Sequence, residues 1–251
     1  VYEVKRLSSE GVREFNLIAQ DSSFYGRDLN DGTTLARLLK ELVKIDNVKW
    51  IRLFYLYPTY FDDELLEIIT KEEKICKYVD IPLQHISDSV LRRMHRRDSS
   101  QSIKKLLKKL RNTTPYITIR TTLMVGFPGE TEADFKELLT FIKAVKFDNM
   151  GAFTYSAQDG TPAARMVDQV TEEIKENRYH ELMAAQAEIS EENNRNLIGV
   201  DTEVLVEELL DDGCGNLQAK GRASFQAPEV DGNVYIDHPG DLRPGDFVKA
   251  H

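Results

Sequence analysis

The chain has 251 residues, which is enough for one large domain and one small domain. Its composition, with 41% hydrophobic and 30% charged residues, is that of a globular protein, and no apolar run is long enough to span a bilayer. The formal net charge of −9 disfavours a broad nucleic-acid surface, because phosphate binding requires clustered Lys and Arg.

Helices and strands alternate from the start of the chain to Tyr155. The sequence opens inside a helix that stops near Gly11. Apolar patterns predict five strands, over residues 15–20, 50–56, 78–83, 117–125 and 150–155. Apolar stripes predict helices over residues 34–45, 62–70 and 101–111, and two further helices follow the caps Ser87 and Thr131. This order is typical of a parallel sheet covered by helices.

The α/β pattern predicts a partial barrel of six strand–helix units. A helix that crosses over to a parallel strand follows a strand of its own. We therefore expect a first strand and its loop to lie upstream of Val1. A closed eight-fold barrel would need more units than the chain has room for.

The C-terminal part has a different pattern. A long polar helix is predicted over residues 171–197, with Gly199 as its stop. Alternation over residues 202–208 indicates a strand, and dense turns such as Asp231-Gly232 and Pro244-Gly245 indicate further short strands. The sequence thus predicts a partial α/β barrel with a linker helix over residues 1–198 and a small antiparallel β-barrel over residues 199–251.

The two cysteines, Cys76 and Cys214, are far apart, and neither has a metal-ligand spacing. Cys76 follows a polar helix and Cys214 lies in the predicted turn at residues 211–216, so we expect neither to take part in chemistry. An iron–sulfur cluster takes several thiolates, which this pair cannot supply. So few cysteines favour a reducing, cytoplasmic setting.

Candidate site residues are sought at the carboxyl ends of the strands, because α/β barrels bind their ligands there. Gln84 and His85 offer directional hydrogen bonds, and Gly126 would let a flat ligand such as an adenine ring approach the backbone. A plain strand-to-helix turn and a satisfied, partly buried histidine are the structural alternatives. The candidates are Gln20, Gln84, His85, Gly126, Phe127 and Pro128.

Four strings resemble the radical S-adenosylmethionine methylthiotransferases: NLIAQD at residues 16–21, IPLQHISD at 81–88, MVGFPGET at 124–131 and FTYS at 153–156. The resemblance extends over nearly the whole chain. It implies a partial α/β barrel that binds S-adenosylmethionine and a [4Fe-4S] cluster, followed by a TRAM domain. It also implies that the six candidate residues contact S-adenosylmethionine. We expect no acid–base catalyst and no metal ligand in this chain.

Two subtypes of this family differ after the fourth strand of the barrel. Those that act on tRNA adenosine usually carry Val-Gln-Ser-Gly-Ser there, whereas this chain has LQHIS at residues 83–87. This string and APEVDG at 227–232 resemble the subtype that adds a methylthio group to the β-carbon of an aspartate in small-subunit ribosomal protein twelve. A tRNA-modifying relative, a non-catalytic partner-binding fragment and a metal-independent barrel lyase are the alternatives.

The chain departs from this family in its cluster-binding part. The family holds its radical cluster in a Cys-x3-Cys-x2-Cys loop after the first strand, and it has an N-terminal domain with three more cysteines. Neither feature occurs in this sequence. We expect both to lie upstream of Val1, and we expect the present chain alone to be inactive.

The charge of the C-terminal domain bears on its partner. From Asn193 to His251 there are 5 basic and 11 acidic residues, which gives a net charge of −6. An RNA-binding barrel needs basic residues to neutralise phosphates, so this domain is expected to repel RNA and to attract a basic ribosomal protein. A solvated acidic surface without a partner is the alternative.

Overall fold

A computed structural model describes residues 1–114, 116–211 and 217–251. Its helices are α1 (Tyr2–Ser9), α2 (Leu35–Leu42), α3 (Asp63–Lys71), α4 (Asp88–Arg93), α5 (Ser100–Thr113), α6 (Glu132–Val145) and α7 (Glu172–Arg195). Its strands are β1 (Glu14–Leu17), β2 (Trp50–Leu53), β3 (Ile75–Asp80), β4 (Thr118–Val125), β5 (Asn149–Thr154), β6 (Thr202–Asp211), β7 (Leu217–Ala223), β8 (Val234–Asp237) and β9 (Phe247–Ala250). The predicted turn that carries Cys214 lies outside the described residues. Among the described helices, none combines the length and the apolar character needed to cross a membrane.

Strands β1 to β5 form one parallel sheet whose strands are arranged in chain order. Helices α2 to α6 lie in the connections between successive strands, so the predicted α/β architecture is confirmed. In such a sheet the carboxyl ends of all strands lie at one edge. The loops that follow the strands are therefore brought together there.

Side-chain caps fix where the connecting helices begin. Thr34 and Asp62 each accept a backbone hydrogen bond in the first turn of α2 and α3. The predicted cap Ser87 is confirmed at α4, and Thr131 and Asp134 form a reciprocal capping box at α6. Helices α4 and α6 begin within eight residues of the ends of β3 and β4, so their caps keep these two loops at the carboxyl edge short.

Several strand ends differ from the sequence prediction. Strands β1 and β2 each end three residues earlier than predicted, and β3 begins three residues earlier. The chain leaves β2 because Tyr55 adopts a left-handed conformation with φ of 52°, and its N–H donates to the Asp80 side chain at 3.1 Å. β3 starts early because Ile75 is buried and pairs with Ile51 of β2. Apolar residues continue past these points, so the apolar pattern does not show the turns.

The parallel sheet is buried on both faces. Ile51 and Leu53 of β2 join the main core, which lies between the sheet and the helices. Trp50 of β2 belongs to a second cluster on the opposite face of the sheet, which also includes a residue of the C-terminal domain and so joins the two domains. That cluster consists of Trp50, Phe54, Cys76, Tyr78 and Ala227.

Strands β6 to β9 form an antiparallel sheet in the order β8-β7-β6-β9, which confirms the predicted antiparallel module. Within the described residues β8 and β9 do not pair, so the sheet is open between them. A bulge between Val206 and Glu208 breaks the predicted alternation of β6. Val206 is buried, but Glu207 and Glu208 are both exposed as a result.

Buried charges hold the C-terminal sheet against the parallel sheet. Arg222 of β7 donates to Glu14 Oε2 of β1 at 2.6 Å and to Glu207 Oε1 at 2.8 Å. Arg52 of β2 is fully buried and donates to Glu14 Oε1 at 3.2 Å and to the Ser224 carbonyl at 2.7 Å. Two guanidinium groups from different domains thus share one carboxylate. Because an unpaired buried charge is costly, each sheet stabilises the other at this junction.

We expect removal of the Arg222 cation to destabilise the protein strongly. Arg222→Met takes a donor from Glu14 and Glu207 at a buried junction, which should lower the free energy of unfolding by roughly 3–5 kcal/mol. Urea unfolding followed by circular dichroism measures this loss. Lys71→Met is the control, because Lys71 pairs with Glu67 on an exposed helix surface and should leave the unfolding midpoint unchanged. A loss below about 1 kcal/mol for Arg222→Met would show that the junction does not depend on this cation.

Candidate functional site

A cavity of about 780 Å³, called the larger cavity below, lies where strands β1 to β4 end. This is the edge at which a parallel sheet is expected to bind ligands. Its polar lining residues are Gln20, Asp21, Gln84, Arg96 and Thr122, and its aromatic lining residues are Phe24, Tyr55 and Tyr57. The larger cavity therefore offers hydrogen-bonding groups beside flat apolar surfaces.

The smaller cavity, of about 320 Å³, shares Gln84 and Arg96 with the larger one. Met124 and Phe127 line it from the end of β4, and the segment after β5 contributes Thr161. The two cavities adjoin at the carboxyl edge of the sheet, and residues on several loops could contact ligands in both.

Hydrogen bonds between backbone segments fix the loop after β1, which carries Gln20. The Ser22 N–H donates to the Tyr55 carbonyl at 3.0 Å, and the Ser23 hydroxyl accepts from the Tyr57 N–H at 3.0 Å. The loops after β1 and β2 are thereby tied to each other. Gln20 is held at their common side of the larger cavity.

Gln84 continues the pairing of β3 with β4 beyond the end of β3. Its N–H donates to the Thr122 carbonyl at 2.9 Å, and its carbonyl accepts from the Met124 N–H at 2.7 Å. Its φ of 68° is left-handed, a conformation that few residues other than glycine adopt. Both backbone bonds hold Gln84 in this strained conformation, at the place where the two cavities meet.

Arg96 is a site residue that the sequence reasoning missed. Its guanidinium donates to the Pro82 carbonyl at 2.7 Å and lies 4.3 Å from the centre of the Tyr57 ring. The Asp98 carboxylate lies 3.9 Å from the Arg96 guanidinium. The buried Arg96 Nε has no hydrogen-bond partner among the described residues. Arg96 can therefore bind an anionic group of a ligand. It follows a helix and not a strand, so the strand-end rule did not select it.

His85 is completely buried and lines neither cavity. Its Nδ1 accepts a hydrogen bond from the Ser87 N–H at 2.9 Å, and its Nε2 lies 3.9 Å from Glu130 Oε2. Burial lowers the pKa of His85 from 6.5 to about 4, while Asp134 opposes the shift and Arg178 adds to it. The imidazole is therefore neutral at pH 7; its Nδ1 is hydrogen-bonded within the fold, whereas its buried Nε2 has no hydrogen-bond partner among the described residues. The contact of His85 with a cofactor stays a prediction.

Gly126 makes room for a helix. Its φ is 75°, and its N–H donates to Glu130 Oε2 at 2.6 Å. Arg178 of α7 donates to the other oxygen of Glu130 at 2.9 Å, and a Cβ on Gly126 would clash with the Lys175 side chain of the same helix. The glycine thus allows α7 to pack on the turn. The approach of a ligand to its backbone, which the sequence suggested, stays a prediction.

The structure brings together three of the six predicted site residues. Gln20 and Gln84 line the larger cavity, and Phe127 lines the smaller one. His85, Gly126 and Pro128 are buried and line neither. His85 and Gly126 make hydrogen bonds within the loops that follow β3 and β4.

Cys76 is distant from both cavities, because it lies at the start of β3 in the cluster that joins the domains. Burial raises the pKa of its thiol to about 11, so the thiol stays protonated. Among residues 1–114, 116–211 and 217–251, no three His, Cys, Asp or Glu side chains converge to hold a metal ion.

Comparison with protein families identifies both parts of the chain. Residues 1–142 match the model of the Radical SAM superfamily, and residues 198–251 match the TRAM domain. The first match covers the parallel sheet as far as β4 and most of α6. The second covers the antiparallel sheet.

Relatives of known name are similar along almost the entire chain. The protein named "Ribosomal protein uS12 methylthiotransferase RimO" of Geotalea uraniireducens is 49% identical over 98% of this chain. The protein of the same name in Citrifermentans bemidjiense is 51% identical, also over 98% of this chain. In both cases the aligned part is 54% of the relative, so the chain spans about half the length of the curated relatives it matches.

Solved structures support the fold. Coproporphyrinogen III oxidase (HemN) from Escherichia coli, a radical SAM enzyme, superimposes with a TM-score of 0.57 over 74% of this chain and 44% of its own, at 16% identity. The radical S-adenosylmethionine methyltransferase TsrM from Kitasatospora setae gives a TM-score of 0.51 over 65% of this chain and 30% of its own, at 17% identity. At such identities the likeness shows the fold alone.

The neutral state of His85 should make stability depend on pH between about 6.5 and 4. The unfolded chain binds a proton on this residue near pH 6.5, whereas the folded chain does so only near pH 4. The contribution of neutral His85 to the free energy of unfolding is therefore fully present above pH 6.5. It is lost as the pH falls from 6.5 to about 4, by roughly 3 kcal/mol in all. Urea unfolding at about pH 7 and about pH 4 measures the loss.

Comparison with a variant isolates this group from other titrating residues. His85→Asn keeps an acceptor for the Ser87 N–H but has no titrating ring, so its stability should fall less over the same range. His180→Asn is the control, since His180 is exposed on α7 and its replacement should leave the pH dependence unchanged. Equal pH dependence of wild type and His85→Asn would contradict a histidine that is held neutral by burial.

Proposed function

This chain belongs to the radical SAM superfamily, and we propose that it forms the barrel and TRAM parts of a radical S-adenosylmethionine methylthiotransferase. We infer that the enzyme adds a methylthio group to the β-carbon of an aspartate in ribosomal protein uS12. The observation that carries this proposal is the 49–51% identity, over nearly the whole chain, to relatives named for that activity. A ribosomal protein as substrate also favours a cytoplasmic location.

The larger cavity fits S-adenosylmethionine by its donor set. Arg96 supplies donors for the carboxylate, and its buried Nε has no partner among the described residues. Asp21 offers an acceptor for the ammonium group. Gln20, Gln84 and Thr122 provide the hydrogen-bonding groups that ribose and adenine require. These five residues come from four different loops or strand ends, which would fix the ligand from several sides.

The residues of this chain bind and orient the cofactor and exclude water. When bound, S-adenosylmethionine supplies the radical chemistry that opens an unactivated C–H bond. Phe24, Tyr55 and Tyr57 line the larger cavity and displace water from it. Gln84 and Arg96 lie where both cavities meet and would hold the cofactor at the boundary with the substrate.

We propose that the smaller cavity receives the aspartate side chain of the protein substrate. Its walls are largely apolar, because Met94, Met124, Phe127 and Met166 line it. Arg93, whose guanidinium donates to Asp168 at 3.0 Å, also lines it and would use its remaining donors to attract a carboxylate. Such a site would hold the β-carbon beside the cofactor and away from water.

The residues of this chain do not fit an iron–sulfur cluster. Cys76 is buried at the start of β3, at the opposite end of the sheet from the cavities. Cys214, the second of the two cysteines, belongs to the C-terminal domain, outside the described residues. We propose that the cluster ligands lie in the part of the relatives' length that this chain does not span.

The surface of the C-terminal domain supports a basic protein as its partner. Arg222, one of the 5 basic residues in the segment of net charge −6, is buried in the junction. The Asp231 side chain of the same segment is buried as well, so the surface keeps the excess of acidic residues, with Asp201, Asp237 and Asp241 exposed. An acidic surface favours encounter with a basic ribosomal protein and disfavours tRNA.

Cofactor binding tests the role of Gln84. In the full-length gene product, reconstituted without oxygen, Gln84→Ala should weaken binding of S-adenosylmethionine by roughly 0.5–1.5 kcal/mol, the net contribution of one hydrogen bond. Isothermal titration calorimetry measures the affinity. Gln101→Ala on the exposed face of α5 is the matched control and should bind like the wild type. Unchanged affinity for Gln84→Ala would remove this residue from the site.

Partner choice separates the proposed activity from that of a tRNA-modifying relative. We expect the full-length gene product to bind uS12, with an association rate that falls as salt screens the charges. Asp241→Lys should slow association, whereas Glu137→Lys, on α6 of the barrel, should not. Tight, salt-sensitive binding to tRNA without binding to uS12 would overturn the assignment in favour of the tRNA-modifying subtype.

A further inference from the structure

A continuous line of polar contacts begins in the C-terminal domain at Asp231, in the segment between β7 and β8. Its Oδ2 accepts hydrogen bonds from the Tyr78 hydroxyl and from the Ala227 N–H, each at 2.8 Å. Its Oδ1 lies 3.6 Å from Arg120 Nε of β4. The carboxylate is only 1% exposed, so the C-terminal domain places a buried charge against the inner face of the parallel sheet.

Arg120 also contacts Asp80, the last residue of β3. Its guanidinium donates to Asp80 Oδ1 at 2.9 Å, and the same nitrogen lies 3.4 Å from the Thr122 hydroxyl. The other oxygen of Asp80 accepts from the Tyr55 N–H at 3.1 Å. Asp80 is fully buried, so the Tyr55 N–H is held by a carboxylate that water does not reach.

The line ends at two walls of the larger cavity. Tyr55 and Thr122 both line it. The Tyr55 carbonyl accepts from Ser22 in the loop after β1, and the Thr122 carbonyl accepts from Gln84. The left-handed backbone of Tyr55 needs such support, because this conformation is unfavourable for a bulky residue. The backbone of the proposed cofactor site therefore depends on Asp80.

Arg120 has room to move if Asp231 does not hold it. A cavity of about 250 Å³ lies beside it, bounded by α7, the start of β5 and the loop that carries Asp231. The guanidinium passes near Gly151, where a side chain would reduce that room. Without the second carboxylate, Arg120 could turn towards this cavity and weaken its hold on Asp80.

We propose that Asp231 and Arg120 are positioning residues for the larger cavity, through which the C-terminal domain keeps the Tyr55 backbone and the Thr122 hydroxyl in place. The effect on cofactor affinity rests on the proposed function, whereas the effect on the Tyr55 backbone does not. Docking of the C-terminal domain and the shape of the cofactor site are thus coupled through one ion-paired line.

The test compares Asp231→Asn with the wild type in the full-length gene product. We expect the affinity for S-adenosylmethionine, measured by calorimetry, to fall by roughly three- to tenfold. We also expect the Tyr55 amide hydrogen to exchange faster, while amides of the main core such as Ile69 keep their protection. In an Arg120→Met background, Asp231→Asn should cause no further loss, since both act on the same contact.

Asp237→Asn is the matched control, because Asp237 belongs to the same domain but pairs with Gln218 on an exposed edge. Tyr78→Phe, which removes one donor to Asp231, serves where Asp231→Asn does not fold and should show the same changes in smaller degree. Unchanged amide exchange at Tyr55 in Asp231→Asn, or in Tyr78→Phe where it serves instead, would overturn the proposal. An equal loss of cofactor affinity in the control Asp237→Asn would also overturn it. If the wild type does not bind S-adenosylmethionine, the proposed function fails, and exchange at Tyr55 still decides on the positioning role.

Discussion

The shared carboxylate of Glu14 is the interaction on which the arrangement of the two domains depends. Arg52 of the parallel sheet is fully buried, and Arg222 of the C-terminal sheet is almost so. A buried guanidinium without its carboxylate is costly. Displacement of either domain would break the ion pairs at Glu14 and would therefore be unfavourable. These ion pairs hold the C-terminal domain against the face of the parallel sheet that the helices do not cover. The carboxyl edge, where the cavities lie, is left free for ligands.

Left-handed backbone recurs at that free edge. Tyr55, Gln84 and Gly126 follow three different strands, and each has a positive φ. Two of them line the larger cavity, and the third is the point where α7 packs on the turn. Each is fixed by a hydrogen bond from its own N–H, to Asp80, Thr122 and Glu130 respectively. The regular sheet thus stabilises irregular loops, as is common where a site must be held in one shape.

The order of elements could be predicted from the sequence because apolar periodicity and capping residues are local signals. Gln20 and Gln84 were found from their positions after strands, since parallel strands bring such positions together. The early end of β2 could not be found, because Tyr55 continues an apolar run and its turn depends on distant Asp80. Arg96 follows a helix, and the contact of Gly126 with Lys175 joins residues far apart in the chain. These features arise from tertiary contacts that no local pattern records.

The charges at the junction have a consequence for chimeric proteins. A TRAM domain from another protein, grafted after α7, would bring its own residue to the position of Arg222 and meet Glu14 and Arg52 already in place. A neutral residue there would take the donors of Arg222 away from Glu14 and leave it to Arg52 alone, and an acidic one would repel Glu14. A chimera that exchanges this domain therefore also has to exchange Glu14 of β1 and Arg52 of β2. The unit of modular replacement is larger than the segment that folds as the antiparallel sheet.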